Sequence, residues 1–190
     1  MRRRSRILYL SVVVLLASSC GCSTKKYKGK DVCELLTNGD IAGVMGEPFK
    51  KGYRTGLIDE GENYVGSDCY FDSEARAPDN PKEPKFRVRV EVTYVETAKA
   101  SVNVTRKEWE TSTYNGKPFY TDIHDVTGIG DAAVAATGYN RSLTIWSLIK
   151  PNTKLEVGVY NVVESQAEDR GVRIARKMFS LLQSGPKPAE

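Results

Sequence analysis

The chain has 190 residues, with 28 Lys or Arg against 24 Asp or Glu, for a formal charge of +4. Arg2, Arg3, Arg4 and Arg6 account for the whole excess, and they open a segment laid out as an export signal, so residues 20–190 carry 24 of each sign. A basic surface of the kind that binds nucleic acid is therefore excluded, and the length that remains suits one domain with a sizeable core.

The four arginines precede Ile7–Ala17, whose only polar members are Tyr9 and Ser11, and then Ser18, Ser19 and Cys20 follow. A basic start, a short apolar run and small residues make a secretory signal. A membrane-spanning helix needs roughly 20 apolar residues, more than this run supplies. Ala17-Ser18-Ser19-Cys20 resembles a bacterial lipobox, with Ala17 where Leu is commoner. The expectation is that residues 1–19 are removed and that Cys20 is acylated, which attaches the protein to the outer face of the cell membrane. Two or more acyl chains anchor stably where a single one does not. Residues 20–30, ending in Ser23–Lys30 (STKKYKGK), read as a lipidated tether, residues 31–183 as the domain and 184–190 as a disordered tail.

Within the domain, Asp31 followed by Glu34 has the form of a helix start, and Thr37–Asp40 divides that helical stretch into two pieces. Phe49–Ser73 reads as strands around glycine turns, and the proline-rich, charged Glu74–Lys85 as an exposed loop. Phe86–Val95 is the clearest strand: Phe86, Val88, Val90, Val92 and Tyr94 alternate with Arg87, Arg89, Glu91 and Thr93. Ala98, Val102, Thr105 and Trp109 lie at helical spacing in Thr97–Thr113, and Asn115–Gly128 reads as irregular. Ala132–Ala136, Ser142–Ile149 and Lys154–Val162 are predicted strands. A last helix follows, with Ser165 and Glu168 as its capping box and a stripe of Ala167, Gly171, Ile174, Ala175, Met178, Leu181 and Leu182. This order predicts an α+β fold, a mostly antiparallel sheet with its helices packed on one face.

With Cys20 assigned to lipid, Cys22, Cys33 and Cys69 remain. Outside the cytoplasm disulfides persist, so a Cys33–Cys69 bridge is predicted, against the alternative of two buried thiols, and Cys22 stays on the tether. The cysteines lack metal-site spacing, and no metal or cofactor is expected.

No nucleophile elbow, zinc-protease motif or phosphate loop is present. Gly128-Ile129-Gly130 with Ala133 matches a dinucleotide fingerprint superficially, but sheet-like sequence follows it, so it is expected to be a turn. His124, the one histidine, lies between Asp122 and Asp125; a general base or metal ligand weighs there against a polar loop, which is the expectation. Arg87 and Arg89 share a strand face and could bind an anion, but Glu91 on the same face partly neutralises them, and an ordinary solvated face is the expectation. The strand holding Leu143, Ile145 and Ile149 also shows Trp146 and Leu148 on its second face, and Tyr160 follows on the next strand. Trp146, Leu148 and Tyr160 are therefore candidates to line an apolar ligand groove, against plain burial on both faces.

On the lipobox, Asp31-Val32-Cys33-Glu34-Leu35-Leu36-Thr37, Cys69-Tyr70-Phe71, Gly128-Ile129-Gly130-Asp131-Ala132-Ala133 and the closing amphipathic helix, the chain resembles a group of actinobacterial cell-envelope lipoproteins of unknown function. Val32 stands where that pattern leads one to expect Pro. The resemblance implies an exported α+β domain with Cys33 and Cys69 paired, and it brings no catalytic residues. The function expected is a non-enzymatic binding or accessory module of the envelope, its partner an apolar small molecule or a neighbouring protein. The alternatives are a secreted hydrolase or metal-dependent enzyme using His124 with Asp122 or Asp125, and an envelope sensor or inhibitor working through protein contacts.

Overall fold

A computed structural model describes residues 31–55, 57–59, 64–95, 102–139, 142–150, 153–162 and 164–184. The signal, the lipobox, the tether and residues 185–190 of the tail lie outside the described residues. The domain opens with two short helices, α1 (Val32–Leu35) and α2 (Asn38–Met45). Asp31 caps α1 by accepting from the Cys33 amide, and Thr37 with Asp40 forms a reciprocal capping box on α2. Two caps within seven residues make two separate helices out of one apolar stretch.

The chain then enters the sheet: β1 (Leu57–Asp59), β2 (Tyr64–Asp72), a ribbon of β3 (Arg76–Ala77) and β4 (Asn80–Pro84), and β5 (Arg87–Val95). Helix α3 (Val102–Thr111) leads to a second ribbon, β6 (Thr113–Tyr114) with β7 (Lys117–Pro118), and on to β8 (Tyr120–Val126). Three hairpin strands follow, β9 (Ala132–Gly138), β10 (Leu143–Lys150) and β11 (Thr153–Tyr160), and then α4 (Glu164–Gln183). Seven strands form one antiparallel sheet in the order β1-β2-β5-β11-β10-β9-β8.

Alternation gives the sheet an inner face. Cys69, Phe71, Val88, Val90, Val92, Ala133, Ala135, Leu143, Ile145, Leu155, Val157 and Val159 meet α1, α2 and the Ala167–Ile174–Ala175–Met178 stripe of α4 in one buried cluster. Full burial of each aliphatic side chain contributes roughly 1.5–3 kcal/mol, so this face holds the domain together. Cys33 of α1 is bonded to Cys69 of β2, tying the helical start to the sheet. Among the described residues no helix is long and apolar enough to cross a membrane.

Four expectations change. The helices do not share one face, because α3 packs on the other side of the sheet, against β8, β9 and β10. Glu74–Lys85 is exposed but pairs as the β3–β4 ribbon. Asn115–Gly128 holds β8, whose alternation is broken by a register shift between Thr121 and His124 and by a positive φ at Asp122. Helix α4 begins at Glu164, so Ser165 lies inside it rather than capping it. Gly128-Ile129-Gly130 is the expected turn: it connects β8 to β9, and a Cβ on Gly130 would lie 2.4 Å from the Leu148 carbonyl oxygen.

Candidate binding face

The outer face of the sheet is built in two ways. Over β8, β9 and β10, Val102 and Trp109 of α3 cover Val134, Ala136 and Trp146, with Tyr120, Ile123 and Leu148 at the margin. Trp109 stacks on Tyr120 with ring centroids 4.9 Å apart. Trp146 is only 2% exposed, so no open groove forms on it. The three residues of the expected apolar groove thus part company: Trp146 and Leu148 belong to the cluster beneath α3, and Tyr160 to the polar region beside it.

That polar region covers β11, β5 and β2. The register sets Asp68 directly opposite Glu91, and Glu91 directly opposite Glu156. Three carboxylates thus stand in one row across three strands, an arrangement that is repulsive unless cations are interposed. Arg89 is the main one. Its guanidinium is bonded to Glu91, reaches Glu156 through Nη1 at 3.4 Å, and lies 3.9 Å from Asp68 through Nε. Lys154 pairs with Glu156 at 2.9 Å and lies 6.0 Å from the Trp146 ring centroid, at the border with the apolar region. Thr55 donates to Asp68 at 2.9 Å and Thr93 to Glu91 at 2.8 Å.

These are not solvated charges. The side chains of Asp68, Glu91 and Glu156 are 4%, 12% and 23% exposed, and that of Arg89 is 25% exposed. Burial opposes the Arg89 charge, but Glu91 and Glu156 outweigh it and hold the guanidinium above its ordinary pKa. The solvated face expected around Arg87 and Arg89 is accordingly a half-buried network. Arg87 is separately engaged, bonded to both carboxylate oxygens of Asp72, which raises its pKa.

Tyrosines flank the network. Tyr70 stands opposite Arg89, whose guanidinium lies 5.7 Å from its ring centroid, and Tyr53 stacks on Tyr70 at 5.8 Å. On the other side Arg89 faces Gly158. A Cβ there would meet the Tyr160 hydroxyl at 2.8 Å and its ring at 2.9 Å, so glycine leaves the space into which Tyr160 folds back. Burial chiefly raises the pKa values of Tyr160 and Tyr120, the Glu156 charge adds to it at both, and Arg89 opposes it at Tyr160. They are neutral phenols at physiological pH.

His124 is used differently from either of its catalytic readings. One ring nitrogen lies 2.8 Å from the Asp122 carbonyl oxygen and the other 3.0 Å from Glu168 on α4. The Glu168 carboxylate first, then the Asp122 carbonyl, raises its pKa, and the ring links the sheet edge to α4 through both nitrogens. Asp125 turns away and pairs with Arg106.

Fold and face together define an α+β domain with one helix-covered face and a second face divided between an apolar and a charged half. No family model matches the chain, and no curated protein matches it. Among solved structures it is similar to the extracellular domain of PknH from Mycobacterium tuberculosis, with a TM-score of 0.49 and 14% identity, covering 77% of this chain and 93% of that one.

Proposed function

We propose that the protein is an exported, lipid-anchored binding module of the bacterial cell envelope, without catalytic activity, and that its ligand face is the charged half of the outer sheet face. The signal-like start and the lipobox at Cys20 supply the address and the anchor. The Cys33–Cys69 bridge is in keeping with an oxidising compartment, where such bonds persist. The observation that carries the ligand face is the row Asp68–Glu91–Glu156 gathered by Arg89. Partly buried charges are costly to maintain, and they concentrate where a protein binds something. The expected apolar ligand gives way in this reading to a polar one, because the apolar half of the face is already covered by α3.

Native mass spectrometry of the protein purified from its own membrane tests both parts. The expected result is a polypeptide starting at residue 20 with acyl chains attached, carrying a second molecule that dissociates on activation. An unacylated chain, or a Cys20→Ala variant that stays in the membrane fraction, overturns the anchor. An acylated chain with no dissociable molecule overturns the binding module.

A further inference from the structure

We propose that the charged row takes an ammonium group, with Asp68 as its principal acceptor; this rests on the charged half being the ligand face. Three carboxylates stand in the row, and among the described residues two cations serve them, Arg89 and Lys154. Arg87 and Asp72, next along, pair with each other, and Arg54 pairs with Asp31, so neither alters the balance. One negative charge is therefore in excess where water is largely shut out, a position in which an uncompensated charge is costly.

The hydrogen bonds point to the same place. Glu91 receives Thr93 on one oxygen and Arg89 on the other, and Glu156 receives Arg89 and Lys154. Asp68 receives Thr55 on Oδ2, while its Oδ1 is buried with no donor among the described residues. Arg89 Nε also lacks an acceptor, but it lies 3.9 Å from Oδ2, the oxygen that Thr55 already reaches. Shortening that gap would leave Oδ1 and the extra charge as they are. The missing charge and the missing donor thus coincide on one buried carboxylate. An ammonium group supplies both. A metal ion is a poorer fit, since Arg89 and Lys154 already set positive charges against Glu91 and Glu156, the second and third ligands it would need.

The ammonium has two sources: a free amine, or the lysines of the protein's own tether, Lys25, Lys26, Lys28 and Lys30. The tether joins the domain at Asp31, which accepts from Ser67, the neighbour of Asp68. Calorimetric titration of the acylated mature protein in detergent, with Nα-acetyl-lysine methylamide against its norleucine counterpart, separates these cases. Saturable binding of the lysine probe alone, weakened tenfold or more by Asp68→Asn and also weakened by Glu156→Gln, supports a free amine. A silent wild type that gains this binding when the four tether lysines become alanine supports the tether. Glu168→Gln, at the far edge of the sheet, changes neither result, and near-UV circular dichroism confirms that Asp68→Asn is folded. The proposal is overturned if neither protein binds the lysine probe, if norleucine binds equally, or if Asp68→Asn leaves the affinity unchanged. A neutral or anionic molecule found on the row would overturn the ammonium alone and leave the ligand face standing.

Discussion

The two halves of the outer face lie side by side on one sheet and solve the same problem by opposite means. Trp146 on β10 and Glu156 on β11 are direct cross-strand partners, yet the first is sealed beneath α3 and the second belongs to the charged row. On the β10 side the strands offer apolar side chains, and an amphipathic helix removes them from water. On the β11 side the strands offer charges, which pair with one another within the sheet except at Asp68 Oδ1 and Arg89 Nε. The first solution gives stability and closes the surface. The second leaves charged groups partly exposed on the surface.

Substitutions that respect this border should have unequal costs. Trp146→Ala, which leaves a void between α3 and the sheet, is expected to destabilise the domain by about 3–5 kcal/mol in urea unfolding. Arg89→Met leaves three carboxylates with one lysine, and is expected to cost about 2–3 kcal/mol, less than a fully buried pair would because the guanidinium is a quarter exposed. Adding Glu91→Gln to Arg89→Met should then recover part of the loss; no recovery would mean that repulsion along the row is not the cause. Thr93→Val, which removes the donor from Glu91, is expected to cost about 1.5 kcal/mol.

The smallest effect lies at the sheet edge. The folded pKa of His124 is raised by Glu168 and by the Asp122 carbonyl, so its contribution is fully present below the ordinary value of 6.5 and is lost as pH rises through the raised value. With the pair partly exposed, the loss is expected to be a few tenths of a kcal/mol. His124→Gln should abolish this dependence in unfolding curves measured from pH 5 to 9, and a His124→Gln curve parallel to that of the wild type would remove the bridge to α4.

The parts legible in the sequence were those set by local period. The alternation of Val88, Val90 and Val92 announced β5, and Ile174, Ala175 and Met178 announced the buried side of α4. The side of the sheet on which α3 lies was not legible, because the Val102–Trp109 stripe shows that one side of the helix is buried without showing against which face. Strand β8 was hidden by the register shift near Asp122, which breaks the two-residue period. Glu168 looked like a capping residue, but with α4 starting at Glu164 it serves His124 instead. The row Asp68–Glu91–Glu156 joins strands distant in the chain, so only the pairing register reveals it. Glu91 beside Arg87 and Arg89 was visible, and in isolation it read as neutralisation in solvent. The signal that would have found the row is the companion pattern: charged residues on the outer positions of β11 as well, at Lys154 and Glu156, where a strand next to an apolar one is expected to be covered.

The division of the outer face is tested most directly by hydrogen–deuterium exchange of the membrane-purified protein, compared before and after any retained molecule is stripped away. Slower exchange in the loaded protein is expected at the amides of β2, β5 and β11, with those of α3, β8 and β9 unchanged. Protection that instead appears under α3, or that is spread evenly over the sheet, would contradict the assignment of ligand binding to the charged half.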